Sequence, residues 1–147
     1  MDFLKKYGEP LLPVILGGLV GFFTSGSNTY ETLNNPPLSP PAIVFPIVWT
    51  ILYLLMGVSF YLVNKEKRTN NRTYYISLFV NLLWPIFFFS FKLYFLSFLW
   101  LLLLIVWVLK LLKEWKDISE LAYKLQIPYL IWLCFAAYLN FGVFLLN

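Results

Sequence analysis

Histidine is absent from this sequence, and cysteine occurs once, as Cys134. Without histidine there is no His-dependent catalytic triad, and Cys/His metal sites lose their usual ligands. No metal site is therefore expected. A single cysteine cannot close a disulfide within the chain, so the redox compartment is not encoded in it. Cys134 lies in an apolar run, where a small buried residue is the expected role rather than a reactive thiol. Charge is scarce as well, at 12% of residues against about a quarter in an ordinary soluble domain. No Asp, Glu, Lys or Arg falls well inside any long apolar run. That argues against an ion pump, a proton relay or a voltage sensor, each of which needs charge within the membrane.

What is present is apolar: 61% of the 147 residues are hydrophobic and 21% aromatic. One water-facing core of this size could not hide that much apolar surface, so the bilayer is the natural solvent. Five apolar segments cover residues 9–23, 41–63, 74–91, 93–112 and 121–146. Each approaches or exceeds the roughly 20 residues that a helix needs to span. The runs are continuously apolar rather than alternating, which favours helices over a barrel. The fold class expected is an all-α integral membrane protein, a five-transmembrane-helix bundle forming a single membrane domain over residues 1–147. Lys5 and Lys6 could open a signal peptide, but Pro10 and Pro13 suit the first turn of a retained helix better.

The basic residues decide orientation. Lys5, Lys6, Lys65, Lys67, Arg68, Arg72, Lys110, Lys113, Lys116 and Lys124 all fall on one side of five spans, and only Lys92 falls on the other. The positive-inside rule then places the N-terminus in the cytoplasm and the C-terminus outside, in what is expected to be a bacterial cytoplasmic membrane. The net charge of +4 thus reports on the membrane, and no nucleic-acid partner is expected. The inner loop 64–73 reads as a solvated, charged connection. In the first segment Gly17 and Gly21 form a G-x-x-x-G with Gly18 beside it, a strip that suits packing within the monomer and homodimerisation equally.

Residues 30–53 are the part most suggestive of a ligand site. Pro36, Pro37, Pro40 and Pro41 stiffen the loop before the second segment, and Ser39 is its candidate N-cap. Phe45, Trp49 and Tyr53 follow at four-residue spacing on one helical face. In the third segment Asn81, an amide deep in an apolar run, needs a partner from another helix, a water or a ligand. Trp84 and Phe88 share its face, and Pro85 should kink the helix. Pro128 should act likewise in the fifth segment, where Trp132, Phe135 or Ala136, and Leu139 or Asn140 share a face. Tyr7, Tyr74, Tyr75 and Trp115, near segment ends, read as interface anchors. Trp49 and Trp132 lie deeper, where an indole N–H must find an acceptor.

Three motifs carry a resemblance. They are N-N-P-P-L-S-P-P-A-I-V-F-P-I-V-W-T-I-L-Y over residues 34–53, Asn81-Leu82-Leu83-Trp84 through Phe88-Phe89, and the run from Pro128 to Asn147. Together they resemble the TspO/MBR family of tryptophan-rich sensory proteins, whose eukaryotic branch is the translocator protein or peripheral benzodiazepine receptor. The sequence departs from the family pattern at Thr29, Asn35 and Leu38, where the family carries Trp, Lys and Trp. Nothing basic follows Tyr138, so the cholesterol-recognition element of the mammalian branch is absent. The resemblance implies a receptor or sensor with a pocket on the outer side of the bundle, closed by the first loop. The implied ligands are porphyrins such as protoporphyrin IX, with no separate cofactor, and benzodiazepine-type molecules in the same pocket. It assigns ligand binding to positions matching Tyr30, Phe45, Trp49, Tyr53, Asn81, Trp84, Phe87, Trp132 and Ala136. Tryptophans matching Trp49 and Trp132 are also linked in the family to light-dependent porphyrin degradation. A passive carrier or a structural membrane dimer is the remaining alternative.

Overall fold

A computed structural model of the chain describes residues 8–25, 33–68 and 70–147. Five helices occupy them: α1 (Glu9–Ser25), α2 (Val44–Glu66), α3 (Arg72–Pro85), α4 (Tyr94–Lys116) and α5 (Glu120–Leu146). A short π-helical turn, Ile86–Ser90, prolongs α3. There is no strand among the described residues. Four of the helices are long and apolar enough to cross a membrane, counting α3 with its π turn, and α1 is an apolar helix of 17 residues.

Packing closes the helices into a ring in the order α1, α2, α5, α4, α3 and back to α1. The outward faces carry large apolar side chains such as Leu11, Ile15 and Leu19 on α1, Ile47, Ile51 and Leu54 on α2, and Val106 and Leu109 on α4, all exposed. In water such a girdle would be a large aggregation surface; against hydrocarbon it costs nothing. Cys134 lies on this exposed surface, not in the buried setting expected from its apolar run. The helical period turns it away from its buried neighbour Leu133.

The end of the bundle rich in Lys and Arg is tightly tied. Phe60, Val63, Tyr74, Leu111, Trp115 and Ala122 form a compact core there. Tyr74 and Trp115 stack at 5.6 Å between centroids and are almost wholly buried. They are core residues rather than the interface anchors expected from their place near segment ends; Tyr7 lies outside the described residues. The connection from α2 to α3 also does more than face solvent. Asn64 and Asn71 exchange side-chain hydrogen bonds at 3.1 and 3.0 Å, with Asn71 in the left-handed region at φ 58°. Arg68 pairs with Glu9 of α1 at 3.1 Å, the Tyr75 hydroxyl donates to the same carboxylate, and the Thr73 hydroxyl donates to Glu114 of α4 at 2.6 Å.

The entry to α2 differs from expectation. The Ser39 hydroxyl donates to the Pro36 carbonyl at 2.7 Å instead of capping the helix, and α2 begins at Val44 after bonds from Val44 N–H to Pro41 O and Phe45 N–H to Ala42 O. Pro41 has no N–H for Ser39 to cap, and a residue followed by proline is pushed out of the α region. Pro128 is accommodated inside a continuous α5, whose start Ser119 caps by accepting from the Ala122 N–H at 3.2 Å.

Two glycines are required by the close approach of α1 to α2. A Cβ on Gly57 would lie 2.0 Å from the Pro10 carbonyl oxygen, and one on Gly17 would lie 2.4 Å from the Tyr53 ring. Both contacts hold α1 against α2. A Cβ on Gly18 or Gly21 would meet nothing within 4 Å. Gly57→Ala must therefore push the α1 and α2 backbones apart and is expected to lower stability by about 1–3 kcal/mol. Gly21→Ala is expected to be neutral or to add up to about 1 kcal/mol of helix propensity. Thermal unfolding midpoints in detergent micelles separate the two, and equal shifts would refute this assignment of the α1–α2 contact.

Candidate functional site

A cavity of about 490 Å³ opens inside the ring at the end away from the basic residues. Its wall comes from the second half of α1 (Val14, Gly17, Gly18, Gly21, Thr24), the start of α2 (Phe45, Trp49, Tyr53), the bend after α3 (Trp84, Pro85, Phe88, Phe89) and the second half of α5 (Trp132, Ala136, Leu139, Asn140, Val143). No charged side chain lines it. The volume falls within the range of about 300–1,000 Å³ usual for small-molecule sites.

Six of the sequence-predicted site residues meet on this wall: Phe45, Trp49, Tyr53, Trp84, Trp132 and Ala136. Trp49 lies at its centre, with ring centroids 5.7 Å from Tyr53, 6.3 Å from Trp84 and 6.4 Å from Tyr129. Phe45 meets Trp132 edge-on at 6.0 Å. Tyr30 lies outside the described residues.

Asn81 and Phe87 are placed elsewhere. Asn81 sits behind the wall, where its Oδ1 accepts from the Tyr53 hydroxyl at 2.7 Å and its Nδ2 donates to the Tyr129 oxygen at 2.6 Å. It fixes Tyr53 and is not on the lining. Phe87 turns away onto Trp100 of α4, edge-on at 5.1 Å. The cause is the π turn. Pro85 cannot donate a backbone bond, and the following turn widens so that the Phe91 N–H reaches the Ile86 carbonyl. The wider turn rotates Phe87 away and brings Phe89 to the wall beside Phe88, which keeps the face it shares with Trp84.

Asn140 is a polar residue to which the sequence alone assigned no role. Its Oδ1 accepts from the Trp84 indole N–H at 2.9 Å, and its Nδ2 donates to the Tyr94 carbonyl at 2.8 Å. Its position as an amide in an apolar run was the available signal. The α1 contribution was hidden because glycines read as packing surface rather than as cavity wall. The Trp132 indole N–H, by contrast with that of Trp84, is buried and finds no acceptor among the described residues.

The loop leading to α2 rests on the end of α5. The Tyr138 hydroxyl donates to the Pro37 carbonyl at 2.6 Å, Asn147 Nδ2 donates to the Asn34 carbonyl at 2.9 Å, and Pro36 fills the space left by Gly142. Leu38, at φ 70° and 83% exposed, forms the tip of the turn and does not line the cavity.

A ring of five apolar helices around an uncharged aromatic cavity defines a helical membrane protein with an internal cavity in its bundle. The comparisons with known proteins place it more closely. The model of the TspO/MBR family matches residues 10–146, and the chain belongs to that family. It is 34% identical to the translocator protein homolog of Schizosaccharomyces pombe, over 96% of this chain and 91% of that protein. It is 33% identical to the tryptophan-rich sensory protein of Cereibacter sphaeroides, over 100% and 90% respectively. Against the translocator protein of Bos taurus identity is 32%, over 91% and 85%. The chain is thus an integral membrane protein with a five-helix fold.

Asn140→Leu strands the Trp84 N–H and the Tyr94 carbonyl together. It is expected to cost about 1–2 kcal/mol of stability, the upper part of the range for interhelical polar contacts in membranes. Tryptophan emission should shift with it, and an unchanged unfolding midpoint would remove Asn140 from its supporting role.

Proposed function

We propose that the protein is a membrane receptor or sensor that binds tetrapyrroles such as protoporphyrin IX, and similar flat apolar aromatic molecules, in the cavity. The observation that carries this reading is the uncharged wall on which Trp49, Trp84 and Trp132 converge from three helices. Dispersion and ring contacts would supply the affinity. The family to which the chain belongs supports the reading, since relatives are named translocator and tryptophan-rich sensory proteins. The basic residues would face the cytoplasm and the loop the opposite side of a bacterial cytoplasmic membrane, as the positive-inside rule directs.

A second reading, light-dependent breakdown of bound porphyrin, is favoured by one feature. Trp49 is in ring contact with Tyr53, Trp84 and Tyr129, a cluster of oxidisable side chains against the ligand space. Loss of porphyrin absorbance on illumination in the presence of dioxygen separates breakdown from binding.

Titration with protoporphyrin IX, followed by tryptophan quenching in reconstituted membranes, is expected to saturate at one site per chain. Trp49→Phe with Trp132→Phe should weaken binding about tenfold, the equivalent of one good aromatic contact. Unchanged affinity in that double variant would remove the proposed site.

A further inference from the structure

Trp132 borders two spaces at once. It lines the central cavity and also a groove of about 550 Å³ between α2 and α5. Val48, Ile51 and Leu55 wall the groove on α2, and Pro128, Ile131 and Phe135 wall it on α5. Ile51 and Ile131 are 51% and 65% exposed on the outer surface of the bundle. In a bilayer that surface faces acyl chains. A single indole therefore stands between the cavity and the lipid.

We propose that Trp132 is the gate of a lateral passage between α2 and α5, through which a flat apolar ligand exchanges between the bilayer and the cavity. The unbonded indole is the first support. Trp84 and Trp100 are latched by hydrogen bonds to Asn140 and to the Val80 carbonyl, whereas the Trp132 N–H is buried without an acceptor among the described residues. Rotating Trp132 breaks ring contacts with Phe45 and Phe135 but no hydrogen bond. Pro128 is the second support, since it removes one backbone bond from α5 a single turn before the gate and leaves the helix easier to bend there. The third is the alternative exit. At the loop end, residues 34–37 are held on α5 by Asn147, Gly142 and Tyr138. An apolar ligand using the lateral passage also never meets water, which favours its partitioning from the membrane.

The inference rests on reading the cavity as a ligand site, and its test does not depend on which ligand is bound. The full chain carrying Cys134→Ser and Ala136→Cys places one thiol on the cavity wall. In lipid vesicles it is labelled with N-(1-pyrenyl)maleimide, which partitions into the bilayer, or with a sulfonated, water-soluble maleimide. Adding Ile131→Trp fills the groove from the lipid side and should slow pyrene labelling by roughly fivefold or more, while Trp132→Ala should accelerate it by a similar factor. Labelling by the sulfonated reagent should stay unchanged by Ile131→Trp. Pyrene labelling indifferent to Ile131→Trp, or slowed only in parallel with the sulfonated reagent, overturns the passage. If Trp132→Ala fails to fold, the Ile131→Trp result still decides. Groove-dependent labelling without any saturable protoporphyrin IX quenching would leave the passage standing and reject the tetrapyrrole reading instead.

Discussion

Tyr53 is the residue on which the arrangement of the bundle depends. Its ring occupies the space that Gly17 leaves open on α1, its hydroxyl bonds Asn81 of α3, and through Asn81 it reaches Tyr129 of α5. One side chain of α2 thus sets the distance to three other helices. The two hydrogen bonds are short, at 2.7 and 2.6 Å, yet interhelical polar contacts in membranes average only about 0.6 kcal/mol. The bridge therefore matters less for total stability than for geometry. The helix placement that joins both phenols through the amide also leaves the space beside Trp49 open.

The two ends of the bundle divide the work. At the basic end, Tyr74, Trp115 and Phe60 fill the ring, and polar ties between loops and helices close it. At the loop end the ring widens into the cavity, where one amide behind the wall and one on it brace aromatic groups. Asn81 fixes Tyr53, and Asn140 fixes Trp84. Both amides bond to the protein, so what the wall offers is mainly shape and aromatic faces. For the ligands proposed above, such a wall would discriminate by flatness and size more than by functional group, in keeping with the modest selectivity available to apolar pockets.

Much of this was legible in the sequence, because membrane spans announce themselves by length and by the absence of charge. The four-residue spacing of Phe45, Trp49 and Tyr53 and the isolated amide Asn81 followed from helical period and from the cost of a lone polar group in hydrocarbon. What was not legible depended on local departures from the regular helix. The turn after Pro85 adds a residue that periodicity cannot anticipate, and it puts Phe89 rather than Phe87 beside the expected Phe88. Tyr74 and Trp115 lie near helix ends, where the usual rule for aromatics makes them anchors; only tertiary packing shows that they stack on each other. Cys134 differs from its buried neighbour by one position in an unbroken apolar run, too fine a distinction for composition to draw.

The loop gives the last constraint. Leu38 stands where the family pattern has a tryptophan, which would weaken any closure that relied on an indole at that place. In this chain the described residues of the loop are held differently. Pro36 seats in the gap left by Gly142, the Pro37 carbonyl accepts from Tyr138, and Asn34 and Asn147 exchange bonds, while Leu38 points into the surroundings at 83% exposure. Every one of these contacts uses the backbone, a proline ring or the end of α5, and none uses residue 38. The loop can therefore rest on the bundle without the missing indole. Because its anchor is α5, the helix that also carries Trp132, movement of that helix would be felt at both the loop and the lateral wall of the cavity.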